Sequence, residues 1–309
     1  MGQNVTGVSR RSFLWAGAAA GTVVLAGCVP TAPTVLTLGC GEPGGSYLQF
    51  GQLLSDVARG SGAFEITALQ TEGSVDNLAL LSQGRVELAL SLADSAAATS
   101  GEVVAIGRVY QNYLQCLVRA PDGQRSLAEL AGTRVSLGAP GSGAAATARR
   151  VMEAAGLSPA SATERPLRDA VVDLERGRID ALFWSGGVPT PQIAELAART
   201  PIAVLDTTPV LPTLLQRYPD AYVATTIPAG VYGADSPVPA IGVANLLLAR
   251  PDLDDTLVER VVDVLIDDAA RLVAPGALGI QYLTPASLID TLPIALHAAA
   301  ERRYRERYG

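Results

Sequence analysis

Four times along this chain a short apolar run empties into a glycine-rich loop, and each loop opens a helical pattern. Residues 35–39 lead into Gly41-Glu42-Pro43-Gly44-Gly45-Ser46 and a helix predicted over 47–59. Residues 64–69 alternate like a strand and lead through Thr71-Glu72-Gly73-Ser74 into a helix over 75–82, stopped by Gly84. A third strand follows over 86–92. Residues 134–137 lead into Gly138-Ala139-Pro140-Gly141-Ser142-Gly143 and a helix over 144–155, and residues 181–184 into Ser185-Gly186-Gly187-Val188-Pro189 and a helix over 191–198. Strands that alternate with helices in this way pair in parallel, with the helices packed on the sheet faces.

The remaining pattern completes two α/β lobes. A short helix is expected at 127–130, another helix at 168–176, a strand at 240–248, and two amphipathic helices at 254–272 and 293–307. Crossover strands at 113–119 and 222–227 would join the lobes. The boundaries read as lobe 1 at 35–112 plus 228–309, returning discontinuously, and lobe 2 at 113–227. The lobes share the theme of strand, glycine-rich loop and helix, without a sequence repeat strong enough to use.

The N-terminal residues carry a different message. Ser9-Arg10-Arg11-Ser12-Phe13-Leu14 sets an arginine pair before an apolar run over 13–27, which is shorter than the ~20 residues a membrane-crossing helix needs. That order reads as an export signal over 1–27, and Arg10 and Arg11 point to the twin-arginine route, with Trp15 a departure from its usual pattern. Leu25-Ala26-Gly27-Cys28 resembles a lipobox, which makes Cys28 the expected lipidation site and 28–34 a tether. The expected location is extracytoplasmic, with the lipid holding the chain to a membrane. Cys40 and Cys116 could bridge after export, but each sits in or beside an apolar run, where cysteine also serves as a small buried hydrophobe.

Charge and residue types exclude several functions. A net charge of −7 argues against nucleic-acid partners. All 23 basic residues are arginine, so lysine chemistry is absent. The loop at 138–143 has P-loop glycine spacing but Ala144 where lysine is required. Gly-x-Ser-x-Gly fails around Ser142, because Pro140 and Ala144 hold the outer places. His297 is the one histidine, which removes a Ser-His-Asp triad and a His/Cys zinc cluster. No catalytic residue, metal or cofactor is expected.

What the loops can do is bind an anion. The first amides of a helix have no partner within it, and the helix dipole favours negative charge there. Each loop alone also reads as an ordinary capped turn. Ser46, Ser74 and Ser142 at three junctions add hydroxyl donors suited to a carboxylate. Trp184 and Tyr47 read either as core or as pocket wall. Asp94, just beyond the third strand, reads either as an acceptor for a ligand or as a cap for the next helix.

Taken in order, these segments resemble the TAXI family of receptors that serve TRAP-type transporters. Gly44-Gly45-Ser46-Tyr47 is similar to the family's Gly-Gly-x-Tyr loop, and Thr71-Glu72-Gly73-Ser74-Val75-Asp76-Asn77 to its Thr-Gly-Gly-Ser-x-x-Asn segment. Residues 127–135 resemble its Leu-x-Asp-Leu-x-Gly-Lys-x-Val stretch, and residues 179–191 and 227–232 resemble later segments. Glu72 replaces a common glycine and Thr133 a common lysine. The resemblance implies a two-lobed, type II periplasmic-binding-protein-like fold with the ligand in the cleft between lobes. It implies a solute-binding receptor that closes on a small carboxylate, such as a glutamate-like amino acid or dicarboxylate, and delivers it to TRAP membrane subunits. An enzyme or a ligand-sensing lipoprotein on the same fold is the alternative. The expected ligand-binding positions are Gly45, Ser46, Tyr47, Thr71, Ser74, Asn77, Asp94, Ser142, Gly143 and Trp184.

Overall fold

The computed structural model describes residues 1–2, 34–61, 64–99, 103–120, 123–273 and 283–309. Arg10, Arg11 and Cys28 lie outside these, as does the expected signal beyond residue 2. The first strand–helix series forms as β1 (Thr34–Gly39), α1 (Ser46–Ser61), β2 (Phe64–Leu69), α2 (Ser74–Ser82) and β3 (Leu88–Leu92). A short α3 (Ala93–Ala96) leads to a long β4 (Val104–Arg119). The second series is β5 (Arg134–Ser136), α4 (Gly143–Ala154), β6 (Ser161–Thr163), α5 (Leu167–Glu175) and β7 (Ala181–Gly186). Then come α6 (Pro191–Ala197), β8 (Ile202–Leu205), α7 (Leu211–Arg217), β9 (Tyr222–Ile227) and β10 (Val238–Ala249). The chain finishes with α8 (Asp255–Asp267), α9 (Pro285–Ile289) and α10 (Ala298–Tyr308).

The sheet runs β2-β1-β3-β10-β4-β7-β5-β6, with β8 beside β4 and β9 beside β10. The order is nearly a palindrome. Each outer triplet is parallel: β1 pairs with β2 and β3, and β5 with β6 and β7. Between them, β10 and β4 pair antiparallel with each other and with the inner strand of each triplet. In each triplet the chain leaves its middle strand for one side, then crosses to the other. β1 and β5 are therefore topological switch points, and a crevice opens beyond the carboxyl end of such a strand. The shared theme read from the sequence is a shared topology.

Helices cover both faces, so the inner strands are buried throughout. β3 and β7 have no exposed residue, which is why they read as unbroken apolar runs rather than as alternation. One apolar core joins β1 and α1 to α8 and α10 through Leu38, Leu54, Val262 and Tyr304. Another joins β4, β5, β7 and α4 through Cys116, Val135, Phe183 and Ala148. Cys40 and Cys116 are both free and buried. Burial pushes the Cys40 thiol up to about 12.

Three expected elements change. The crossover strand expected at 113–119 begins nine residues earlier, because the polar stretch Arg108–Asn112 is held in the sheet by β10. The helix expected at 293–307 starts only at Ala298. Its first residues give their backbone to β4 instead: the Ala105 amide donates to the Ala295 carbonyl, and the His297 amide to the Ala105 carbonyl, both at 2.8 Å. His297 then caps α10, its Nδ1 accepting from the Ala299 amide. The helix expected at 254–272 stops at Asp267, followed by a single 3-10 turn.

Candidate functional site

The loops beyond the two switch points face one cavity. Its walls include Glu42, Gly45, Ser46 and Tyr47 beyond β1, and Ser142, Gly143 and Ala144 beyond β5. Gly73, Ser74 and Leu92 close one side; Asn112, Trp184 and Ser185 close another. The space between atoms, open mouth included, is about 390 Å³.

Two helix starts point into it. α1 and α4 begin at Ser46 and Gly143, so the first amides of two helices, of 16 and 12 residues, border the cavity. These amides have no partner inside the helix. Ser142 caps α4, its Oγ accepting from the Ala145 amide at 3.1 Å. A positive φ of 75° at Gly141 gives the tight turn before it.

The second helix of each series does something different: it clasps the opposite loop. The Val75 and Asp76 amides at the start of α2 both donate to the Gly141 carbonyl, at 3.1 Å. The approach is close enough that a Cβ on Gly73, whose φ is 114°, would lie 3.5 Å from Ser142 Cα. In return, the Leu167 amide at the start of α5 donates to Glu42 Oε2 at 3.2 Å. Gln192 of α6 adds a donation to the Pro43 carbonyl at 3.4 Å.

Of the ten expected ligand-binding residues, seven line the cavity: Gly45, Ser46, Tyr47, Ser74, Ser142, Gly143 and Trp184. Ser74 is heavily used, since its Oγ accepts from the Leu92 amide at 3.0 Å and lies 3.2 Å from the Tyr47 hydroxyl. Burial pushes the Tyr47 hydroxyl well above its ordinary range. Trp184 presents its ring edge near Gly45, while its indole N–H is spent on Thr190 Oγ1 at 3.0 Å.

Thr71, Asn77 and Asp94 do not line the cavity. Asn77 is fully buried. Its Nδ2 donates to the Cys40 and Leu90 carbonyls at 2.5 and 2.8 Å, and its Oδ1 accepts from Thr71 Oγ1 at 2.6 Å. The pair staples the ends of β1 and β3 together and so shapes the loops from beneath. Asp94 is 0% exposed and is neither a cap nor a cavity acceptor. Its Oδ2 accepts from Arg150 Nη1 at 2.6 Å, Thr147 Oγ1 at 2.7 Å and the Tyr222 hydroxyl at 2.8 Å. Arg150 also lies over the Tyr218 ring, 5.0 Å from its centroid. This cluster ties α3 to α4 and β9.

Sequence reasoning missed Glu42, Asn112 and Ser185. Glu42 sits inside a loop that was read for its glycines, and Asn112 falls in the unassigned half of β4. Burial pushes the Glu42 carboxyl up to about 7, aided by the nearby charges of Glu72 and Asp169 and opposed by the Leu167 amide and Arg168. Asn112 is 2% exposed. Its Nδ2 donates to the Ser185 carbonyl at 3.1 Å, and its Oδ1 has no hydrogen-bond partner among the described residues.

This architecture is the mixed α/β fold of type II periplasmic binding proteins. A putative L-cystine ABC transporter protein from Listeria monocytogenes matches with a TM-score of 0.52 at 15% identity, covering 77% of this chain and 92% of that one. An ancestral arginine-binding protein bound to arginine matches at 0.52 and 12%, covering 90% and 100%. A Xanthomonas citri protein bound to ATP matches at 0.53 and 14%, covering 89% and 100%. At these identities the likeness speaks for the fold alone. The family follows from the sequence: the model described as the NMT1-like family matches residues 38–307, and the chain belongs to that family.

Proposed function

We propose that the chain is an extracytoplasmic solute-binding receptor of a transporter, which captures a small carboxylate between two lobes by hinge closure. The observation that carries this reading is the convergence of the α1 and α4 starts on one cavity whose two sides hold each other across it. Free amides at two helix starts are an anion site, and contacts reaching both sides of a cleft favour the closed state. The fold shared with an L-cystine ABC transporter protein and an arginine-binding protein supports a receptor.

The finer parts rest on the sequence motifs. They are TRAP membrane subunits as the partner, a glutamate-like amino acid or dicarboxylate as the ligand, export through Arg10-Arg11, and a lipid on Cys28. The lobes would divide at 112/113 and 227/228, with the crossovers read at 113–119 and 222–227 as the hinge. A Cys28→Ala change is expected to move the exported protein from the membrane fraction to the soluble one; unchanged fractionation contradicts the anchor.

One observation favours a second reading. Glu42, half-buried at the cavity wall with its carboxyl pushed up to about 7 by desolvation, is the kind of group acid–base catalysis uses, so an enzyme is the alternative. Thermal-shift screening of the mature chain against amino acids, 2-oxo acids and dicarboxylates separates the two, because a ligand of the native state raises its melting temperature. Saturable stabilisation with the compound recovered unchanged is expected. Chemical turnover of the stabilising compound overturns the receptor reading.

A further inference from the structure

The charges that line the cavity do not match a dianion. Among its lining residues Glu42 and Glu72 alone carry formal charge, and both are negative. Among the described residues no arginine lines it, and the chain has no lysine. The positive character of the site is confined to the amides at the starts of α1 and α4, enough for one carboxylate. A second carboxylate would meet two acids and no cation.

The unmet hydrogen-bonding capacity has the opposite sense. Asn112 Oδ1 is an acceptor without a partner among the described residues, on a side chain almost wholly buried at the cavity wall. Leaving a buried acceptor unmatched forfeits the hydrogen bond it makes in water, so a donor is called for. Glu42 accepts from the Leu167 amide through Oε2, and an ionised carboxylate has room for several donors. Two acceptors therefore share a cavity with two amide-lined helix starts.

We propose that the cavity selects a zwitterion or net cation: the helix starts hold its one carboxylate, while Glu42 and Asn112 Oδ1 read a cationic nitrogen. This rests on the receptor reading and narrows it, against glutamate-like amino acids, dicarboxylates and 2-oxo acids. Glu42 and Asn112 are specificity-determining residues. Glu42 has a further consequence, because a cationic nitrogen is held by its ionised form. Binding then strengthens as pH rises from about 5.5 to 8, with Glu72 and Asp169 opposing ionisation and Arg168 favouring it.

The test is titration calorimetry on the mature chain with two arms of probes at pH 6 and 8. One arm holds the neutral and basic L-amino acids; the other holds propionate, succinate, glutarate and 2-oxoglutarate. Wild-type protein is expected to bind at least one member of the first arm tenfold or more tighter than any of the second, and tighter at pH 8. Glu42→Gln is expected to weaken that ligand at least tenfold and to flatten its pH dependence. A nitrogen-free acid that binds as tightly as the best amino acid overturns the inference and leaves the receptor reading standing; this comparison needs no variant. An amino acid that binds Glu42→Gln as tightly as wild type, with the variant melting normally, overturns the role of Glu42. L-Glutamate binding as tightly as the best neutral or basic amino acid likewise overturns the inference, and silence in both arms and with L-glutamate overturns the small-carboxylate receptor itself.

Discussion

The two halves of the sheet repeat one topology, yet they grip each other with different chemistry. From the first half, α2 reaches across with two amides and finds the Gly141 carbonyl, a group that never titrates. From the second half, α5 reaches back with the Leu167 amide and finds the carboxylate of Glu42. The geometry is shared, but only one clasp can sense pH or a ligand's charge. Outside both clasps lies a third contact, where Asp94 accepts from Arg150, Thr147 and Tyr222. Glu42 and Asp94 are both carboxylates at this junction. Asp94 is saturated with donors from the surrounding elements and is a structural tie. Glu42 is under-supplied and borders the cavity.

That contrast can be broken most severely at Asp94. Asp94→Ala leaves Arg150 largely buried without its anion, and removing one partner of a buried pair costs about 3–5 kcal/mol. Denaturant unfolding is expected to show a loss of this size. A loss under 1 kcal/mol would mean that the tie is not formed in solution.

Glu42→Gln is expected to act in the other direction. The folded-state carboxyl is raised above its ordinary value of 4.5 to about 7. Below about 4.5 both states hold the proton and the site is neutral to stability. Between the two values the unfolded chain gives up its proton first, so the unliganded protein loses stability as pH rises. The loss approaches about 3 kcal/mol above pH 7. Glu42→Gln should remove this slope and raise the melting temperature at pH 8. A wild-type stability curve that is flat between pH 5 and 8 contradicts the assignment.

Much of the site was legible because its signals were local. Gly45, Ser46, Ser142 and Gly143 sit where a strand ends and a helix begins, and in each triplet the first such junction, beyond the switch-point strand, borders the cavity. Asp94 was ambiguous because its partners lie 53 to 128 residues away, beyond any local pattern. Asn77 looked like a site residue because it shares a segment with Ser74. The helix turns it inward, where the carbonyls of Cys40, just beyond β1, and Leu90 in β3 take its amide. The pseudo-symmetry showed in the sequence only as a shared theme of strand, loop and helix, for a related reason. It lies in strand order, and strands as short and polar as β6 leave no apolar signature.

The smallest expected effect sharpens the comparison of the two first helices. Ser142→Ala removes the cap of α4 and should cost about 1 kcal/mol of stability, with weaker ligand binding. Unchanged affinity in a folded variant removes Ser142 from the site.

The central claim is that the ligand sits on the starts of α1 and α4. Backbone amide NMR of the mature chain, titrated with the tightest compound from the calorimetric panel, tests it most directly. The account predicts that the largest early shifts fall on Ser46, Tyr47, Gly143 and Ala144. Shifts that centre elsewhere while those four amides stay still would contradict it.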